Sequence, residues 1–455
     1  MAGIKFGTDG WRSIVGKDFN FDNVAIVTNS IGKYICDNYE KKEILIGYDP
    51  RNMAYEFANH SAKILCEAGF KVILSKKVVP TPVLAYGAKH HNACAIMFTA
   101  SHNPPEYLGM KFIPHYAGPA TNEITEALTK NLNEVLPKCE GGRIETYDFY
   151  QEYAKHISKL IDFEKIKGLK FIYDGLYSAS IGYFDRLLEE HGIICKSLHM
   201  YHDTNFGGGM PEPKAEYLKE LIDVIKNDEH CAGFSNDGDG DRFGVINENG
   251  EAVSANDVIG IIFLYLHEVK KLQGALVKNI SSSLMLDRIA EKLSTEVFET
   301  PVGFKYIGEL MRNINPIIGG EESGGLSVQG HIPEKDGILA DLLVMEAMAV
   351  KKMSIVELQE ELYKLAGCKF INERINIKSE SRDEVKNSIE KISSLECIAG
   401  QKITRKDNKD GIKLYLEDNS TWILVRPSGT EPLLRIAIES DSKEKIEQIK
   451  KDIMQ

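Results

Sequence analysis

Residues 44–51 read ILIGYDPR, and this stretch decides how the chain is divided. A branched apolar run passes through Gly47 and Tyr48 and stops at Asp49, Pro50 and Arg51. Such a run, halted by proline and followed by helical periodicity, reads as a buried strand feeding a turn and a helix. The helical segment ends at EAGF and leads into a second strand, KVILS, at 71–75. The same order returns twice. LKFIYDGLYS (169–178) leads through IGYFDRLLEEHG to IICKSL, and ALVKNISSS (275–283) leads through LMLDRIAEKL to EVFETP. Strand, turn, helix, strand is the pattern of parallel α/β units, so the three copies predict three similar mixed α/β domains.

The last ninety or so residues differ. ERINIK, IKLYLED and STWILVRPSG alternate like strands, and SKEKIEQIKKDIMQ is a charged amphipathic helix. A smaller C-terminal α+β domain is expected there. Breaks near Gly141-Gly142, Asn249-Gly250 and Gly367 predict domains at 1–141, 142–249, 250–367 and 368–455.

With 455 residues the chain has room for about three or four domains, in agreement with that division. Its 43% hydrophobic and 27% charged residues place it with ordinary globular chains. A formal charge of -12 argues against nucleic acid as the main partner, because phosphate backbones repel an acidic surface. The apolar run VIGIIFLYL (258–266) is too short to span a bilayer, and MAGIKFGTDGWR lacks the apolar core of a signal peptide. Eight cysteines without a C-x-x-C pair indicate neither a zinc site nor a disulfide framework, so a reduced cytoplasmic protein is expected. Monomer and homodimer are both compatible with the sequence.

Strand ends in open α/β sheets are where ligands gather, and the polar loops there carry the chemistry. MFTASHNPPEYLGMKF (97–112) ends an apolar run in Ser101, then adds His102, two prolines and Lys111. The prolines stiffen the loop by fixing φ and restricting the residue before each. A tight surface turn is the plainer reading. SNDGDGDRFGV (235–245) alternates Asp237, Asp239 and Asp241 with glycine, which aims three hard oxygen ligands one way, as Mg²⁺ requires. An EF-hand loop that Glu248 would have to close, and a solvated acidic turn, are the competing readings. Arg242 follows at once and can meet an anion beside the metal.

VRPSGTEPLLR (425–435) offers Arg426, Ser428, Gly429 and Thr430 as donors to a phosphate, or else forms a Pro-Gly surface turn. IGGEESGGL (318–326) sets Glu321 and Ser323 among glycines, which suits sugar hydroxyls. Lys335 in HIPEKDG (331–337) and Lys305 beside Gly303 in TPVGFKYIG (300–308) add cations for phosphate contact. Arg12 closes the glycine-bracketed FGTDGWR at 6–12.

Together these loops resemble the α-D-phosphohexomutase family, which includes phosphoglucomutases, phosphomannomutases and phosphoglucosamine mutases. TASHNPP looks like the phosphoserine loop, DGDGDR like the metal loop, GEESGG like the sugar loop and RPSGTEP like the phosphate loop, in family order across nearly the whole chain. The resemblance implies three related α/β domains and a smaller fourth around one central cleft. It implies that Ser101 carries the transferred phosphoryl group and binds Mg²⁺ together with Asp237, Asp239 and Asp241. Arg12, His102 and Lys111 match positions near the reacting hydroxyl, as candidates for acid–base work and charge stabilisation. Glu321 and Ser323 match residues that hold sugar hydroxyls, and Arg426, Ser428, Gly429 and Thr430 match those that hold the non-reacting phosphate.

The implied reaction interconverts hexose 1-phosphate and hexose 6-phosphate through a 1,6-bisphosphate, with small sugar phosphates as partners and glucose 1,6-bisphosphate as activator and intermediate. GEESGG with HIPEKDG looks more like phosphoglucomutases, which puts glucose first. Mannose comes second, as a phosphomannomutase or a dual phosphomannomutase/phosphoglucomutase, ahead of a phosphoglucosamine mutase or a sugar phosphatase. In the serine loop Leu108 stands where many relatives carry asparagine.

Overall fold

The run at 43–48 is a strand buried at every position in the middle of a sheet, which is why it lacks polar alternation. The structure, a computed structural model, describes residues 4–7, 10–227, 231–427 and 433–454. The first sheet comprises β1 (Trp11–Ile14), β2 (Glu43–Tyr48), β3 (Lys71–Ser75), β4 (Cys94–Phe98), β5 (Tyr107–Ile113) and β6 (Arg143–Tyr147). Their order is β1-β5-β4-β2-β3-β6. Strands β4, β2, β3 and β6 run parallel, β5 folds back on β4, and β1 pairs antiparallel with β5. β6 lies beyond the break expected at Gly141-Gly142, so the first sheet extends past it. Its sequence RIETY is an exposed edge strand and carries little apolar signal.

The second sheet holds β7 (Phe171–Asp174), β8 (Lys196–Leu198), β9 (Ala232–Asn236) and β10 (Phe243–Ile246) in the order β10-β9-β7-β8. The third holds β11 (Leu276–Asn279), β12 (Val297–Thr300), β13 (Ile318–Glu321) and β14 (Gly325–Val328) in the order β12-β11-β13-β14. All three domains therefore share one unit: three parallel strands joined by helices, then a turn of varying length that adds an antiparallel strand. The unit is longer than the two-strand pattern legible in the sequence. Its repetition reaches single hydrogen bonds. Asp49, Asp174 and Asn279 stand at the end of the first parallel strand, and each accepts the N–H two residues on, from Arg51, Leu176 and Ser281 at 3.0, 2.9 and 3.1 Å.

One apolar core runs through all three domains, from Leu45 and Tyr153 through Phe234 to Leu343. The helix Gly337–Lys351 is buried along most of its length at the centre of that core. A shared core fixes the three hairpin turns relative to one another.

The C-terminal domain has β15 (Ile371–Lys378), β16 (Cys397–Ile398), β17 (Gln401–Asp407), β18 (Ile412–Leu416), β19 (Trp422–Pro427) and β20 (Leu433–Ser440). They form an antiparallel sheet in the order β15-β20-β19-β18-β17-β16, with helices Arg382–Ser394 and Lys443–Met454 completing a separate core. This domain meets the third through a small apolar contact of Ile280 with Tyr415, Trp422 and Leu424. Ser428, Gly429 and Thr430, between β19 and β20, lie outside the described residues. Among the described residues no helix is long and apolar enough to cross a membrane.

Candidate active site

The β4–β5, β9–β10 and β13–β14 turns are equivalent places in three copies of one unit, and they meet. The β4–β5 turn carries Ser101, which is buried and holds a left-handed backbone at φ +53°. That conformation costs a non-glycine residue about 1–3 kcal/mol unless its surroundings impose it. Here they do. Ser101 N–H donates to Thr99 Oγ1 at 2.8 Å. The Arg51 guanidinium, itself buried, donates to the carbonyls of Ser101, Asn103, Pro104 and Tyr107 at 2.6, 2.7, 2.7 and 3.1 Å. Arg12 Nη1 adds Ala100 O at 3.2 Å and Asn103 Oδ1 at 2.7 Å. Asp49 pairs with Arg51 Nε at 3.2 Å, and burial still lifts its pKa to about 6. The sequence reading assigns Asp49 and Arg51 no role; a charged pair at a strand's carboxyl end is the signal that could have marked them. Leu108, the departure in this loop, is fully buried in β5 opposite Ser13.

The β9–β10 turn brings Asp237, Asp239 and Asp241 together, all buried, with ligand oxygens within 4.8 Å of one another. Gly238 is needed by close approach, since a Cβ there would lie 2.6 Å from Ser101 O. Ser101 Oγ donates to Asp237 Oδ2 at 2.8 Å, and His102 Nδ1 lies 3.3 Å from the same Oγ. Lys111 Nζ donates to both Asp239 Oδ2 and Asp241 Oδ2 at 2.9 Å, Lys335 Nζ to Asp241 Oδ2 at 2.6 Å, and Thr81 Oγ1 to Asp239 Oδ2 at 2.6 Å. Thr81 has no distinguishing signal in the sequence.

These donors use the Oδ2 atoms only. Asp239 Oδ1 and Asp241 Oδ1 are buried with no hydrogen-bond partner among the described residues. Buried orphan carboxylate oxygens are costly unless a cation completes them, so the donor set fits a hard divalent metal. Burial would raise Asp241, but Lys111, Lys335 and Arg242 hold it well below the usual carboxylate range. Asp237 is pushed up by burial and by Asp239 and Asp241. The EF-hand reading fails, because Glu248 turns away to accept the N–H groups of Ile355 and Val356.

The β13–β14 turn supplies the third wall. Phe243 N–H donates to Gly324 O at 3.1 Å, which joins the second and third turns directly. Glu321 Oε1 accepts Gly303 N–H at 3.0 Å and Asn279 Nδ2 at 3.2 Å, while burial and Glu322 raise its pKa. Ser323 lies in the same turn, half-buried. Lys335 is presented by a loop braced at its ends: His331 Nε2 lies 2.9 Å from Asp336 Oδ2, and Gly337 N–H donates to Gly240 O at 3.1 Å. Arg242 is drawn toward Asp237, Asp241 and Glu321, whose charges raise its pKa against burial. Lys305 instead reaches across to Asn122 Oδ1 of the first domain at 2.7 Å. Arg426 stands at the end of β19 with Nη2 2.8 Å from Asp410 Oδ2.

The structure thus brings Arg12, Ser101, His102, Lys111, the three aspartates, Arg242, Glu321 and Lys335 to one site, with Arg426 on the C-terminal domain. A hydroxyl on a rigid turn beside a metal-type cluster and several cations can receive and release a phosphoryl group.

Family models of phosphoglucomutase/phosphomannomutase match the chain throughout. The α/β/α domains I, II and III match residues 3–137, 151–250 and 254–366, and the C-terminal domain matches 375–455. A phosphoglucomutase/phosphomannomutase of Thermococcus kodakarensis is 30% identical over 97% of this chain and 96% of its own. A phosphoglucosamine mutase of Methanococcus vannielii is 28% identical over 96% and 94%. A solved Thermus thermophilus structure named for phosphomannomutase superposes with TM-score 0.87 at 30% identity, covering 100% of this chain and 98% of that one. The Paramecium phosphoglucomutase parafusin, in an open form, has the same fold at TM-score 0.83 and 22% identity, over 100% and 94% of the chains. The chain belongs to the phosphoglucomutase/phosphomannomutase family, the α-D-phosphohexomutases, and is a phosphohexomutase, an isomerase that works by phosphoryl transfer.

Proposed function

We propose that this phosphohexomutase interconverts glucose 1-phosphate and glucose 6-phosphate, with Ser101 as the residue that carries the phosphoryl group. The observation that carries the reading is Ser101 Oγ at 2.8 Å from Asp237, beside the orphan oxygens of Asp239 and Asp241. Phosphorylated Ser101 and the three aspartates would hold Mg²⁺, which when bound neutralises charge on the transferring group. A fold relative, N-acetylphosphoglucosamine mutase of Aspergillus fumigatus, was solved with GlcNAc-6P and magnesium.

In the forward half-reaction the Ser101 Oγ–P bond breaks as the sugar O6–P bond forms, giving glucose 1,6-bisphosphate. The O6 proton needs an acceptor, and His102 is the candidate by position, with Nδ1 3.3 Å from Ser101 Oγ. Lys111 is held between two aspartates and acts on charge instead. After the bisphosphate turns over, the phosphate on C1 passes to Ser101 Oγ and glucose 6-phosphate leaves. Glu321 and Ser323 grip sugar hydroxyls in both orientations, and Arg426 with Ser428, Gly429 and Thr430 holds the phosphate not in transfer. Arg242, Gly303, Lys305 and Lys335 are the further substrate-binding residues in this reading.

Glucose preference rests on GEESGG with HIPEKDG. Relatives named phosphoglucosamine mutase, at 28–29% identity over most of the chain, favour glucosamine as the second reading. Eight free cysteines suit a reducing, cytoplasmic setting. Initial rates on glucose, mannose and glucosamine 1-phosphates, with Mg²⁺ and a trace of glucose 1,6-bisphosphate, test all of this. Glucose is expected to be fastest. A faster glucosamine rate overturns the preference, and free phosphate as main product overturns the mutase reaction.

A further inference from the structure

Arg426, which the mutase reading places on the non-transferred phosphate, is not held by its own strand alone. Its Nη2 lies 2.8 Å from Asp410 Oδ2, at the start of the hairpin that leads into β18. The same oxygen accepts Val302 N–H at 2.9 Å, from the third domain. The next amide along, Gly303 N–H, donates to Glu321 Oε1 at 3.0 Å. Two consecutive N–H groups therefore donate to two carboxylates, one to Asp410 beside Arg426 and the other to Glu321 of the sugar turn. Gly411 lets this junction close: it has φ +81°, and a Cβ there would lie 2.3 Å from Val425 O and 2.7 Å from Arg426 Cγ. Arg426 Nε, in contrast, is buried and has no hydrogen-bond partner among the described residues. A guanidinium with one arm fixed on a carboxylate and a buried N–H unspent is set to receive a second anion.

We propose that Asp410 is a positioning residue: it orients Arg426 for the substrate's phosphate and, through Val302 and Gly303, ties that grip to the turn that holds the sugar. This rests on the mutase reading, and on Arg426 as its phosphate ligand. A carboxylate beside an anion site weakens the anion electrostatically. Its presence is accounted for by geometry, since an unanchored arginine loses side-chain freedom each time it binds.

The test uses the full chain carrying Ser101→Ala, which binds without turnover, titrated calorimetrically with glucose 6-phosphate. Asp410→Asn keeps an acceptor for Val302 and loses the charge; Asp410→Ala loses both. Asp410→Asn is expected to weaken binding about tenfold and Asp410→Ala further. Arg426→Lys is expected to weaken it comparably, with the double variant Asp410→Asn/Arg426→Lys losing less than the product of the two. With Ser101 intact, Asp410→Asn should raise KM by the same factor and leave kcat within about twofold. Unchanged binding in Asp410→Asn, with Arg426→Lys weakened, overturns the positioning role and leaves the mutase reading standing. So does a lowered kcat and melting temperature at constant KM, which is what a merely structural residue would show. Unchanged binding in Arg426→Lys overturns Arg426 as the phosphate ligand, and this proposal with it.

Discussion

Ser101 Oγ and Asp237 Oδ2 are 2.8 Å apart although 136 residues separate them in the chain. The contact joins equivalent hairpin turns of two repeated domains, so the first domain supplies the hydroxyl and the second the metal-type carboxylates. Neither turn is a site alone.

Replacing the hydroxyl should end catalysis. Ser101→Ala is expected to lower kcat at least about 10⁴-fold, as removal of a nucleophile commonly does. It should also abolish incorporation of labelled phosphate from glucose 1,6-bisphosphate. Turnover at the normal rate would contradict a phosphoserine.

Arg51 should matter nearly as much without touching substrate. Arg51→Lys cannot span four carbonyls, and the serine loop relaxes; kcat is expected to fall about a hundredfold at nearly constant KM. Arg51→Ala also strands the buried Asp49 and should cost about 3–5 kcal/mol in chemical denaturation. Normal kcat in Arg51→Lys would remove the clamp from the account.

Metal removal separates fold from activity. Lys111 and Lys335 already neutralise part of the aspartate cluster, so a chelator should abolish turnover while shifting the melting temperature only a few degrees. Mg²⁺ should restore the rate. Asp239→Asn and Asp241→Asn should raise the Mg²⁺ concentration needed for half-maximal rate by about tenfold or more, as read by titration.

Stability above neutral pH should carry the mark of Lys413. This lysine is buried between the third and fourth domains, donating to Ile280 O, and burial followed by Lys278 lowers its pKa to about 8. From about pH 8 to the unfolded value of 10.5 the unfolded chain binds the extra proton, so this group's contribution to stability rises with pH across that window. The gain is at most about 1.4 kcal/mol per pH unit. Lys413→Met should flatten the difference between melts at pH 8 and pH 10; an unchanged difference would count against the shift.

The four functional loops are readable because their chemistry is local: each packs hydroxyls, carboxylates or cations between glycines or prolines. The repeat is readable where strands are fully buried, as in ILIGYDPR, and unreadable where they are short or edge-exposed. β8 has three residues and β6 five, all exposed in β6, so neither carries apolar periodicity. The hairpins β4–β5, β9–β10 and β13–β14 stand out in the sequence as motifs but not as equivalents, because turn residues differ even where topology repeats.

Arg51, Thr81, Asn279 and Asp410 escape the sequence reading for a related reason. Each acts on atoms 42 to 158 residues away, or on a backbone carbonyl, and no spacing rule reports such a partner. Local periodicity and side-chain identity are enough to define the repeated α/β units, the smaller last domain, and which residue types carry the chemistry. They cannot show that Lys111 and Lys335 serve the aspartates, that Arg51 holds the serine loop, or that Asp410 stands behind Arg426. The lysine pairings depend on how three sheets are set by one shared core, and the other two on how strands distant in sequence are brought together within one sheet; both are properties of the folded chain rather than of any stretch of it.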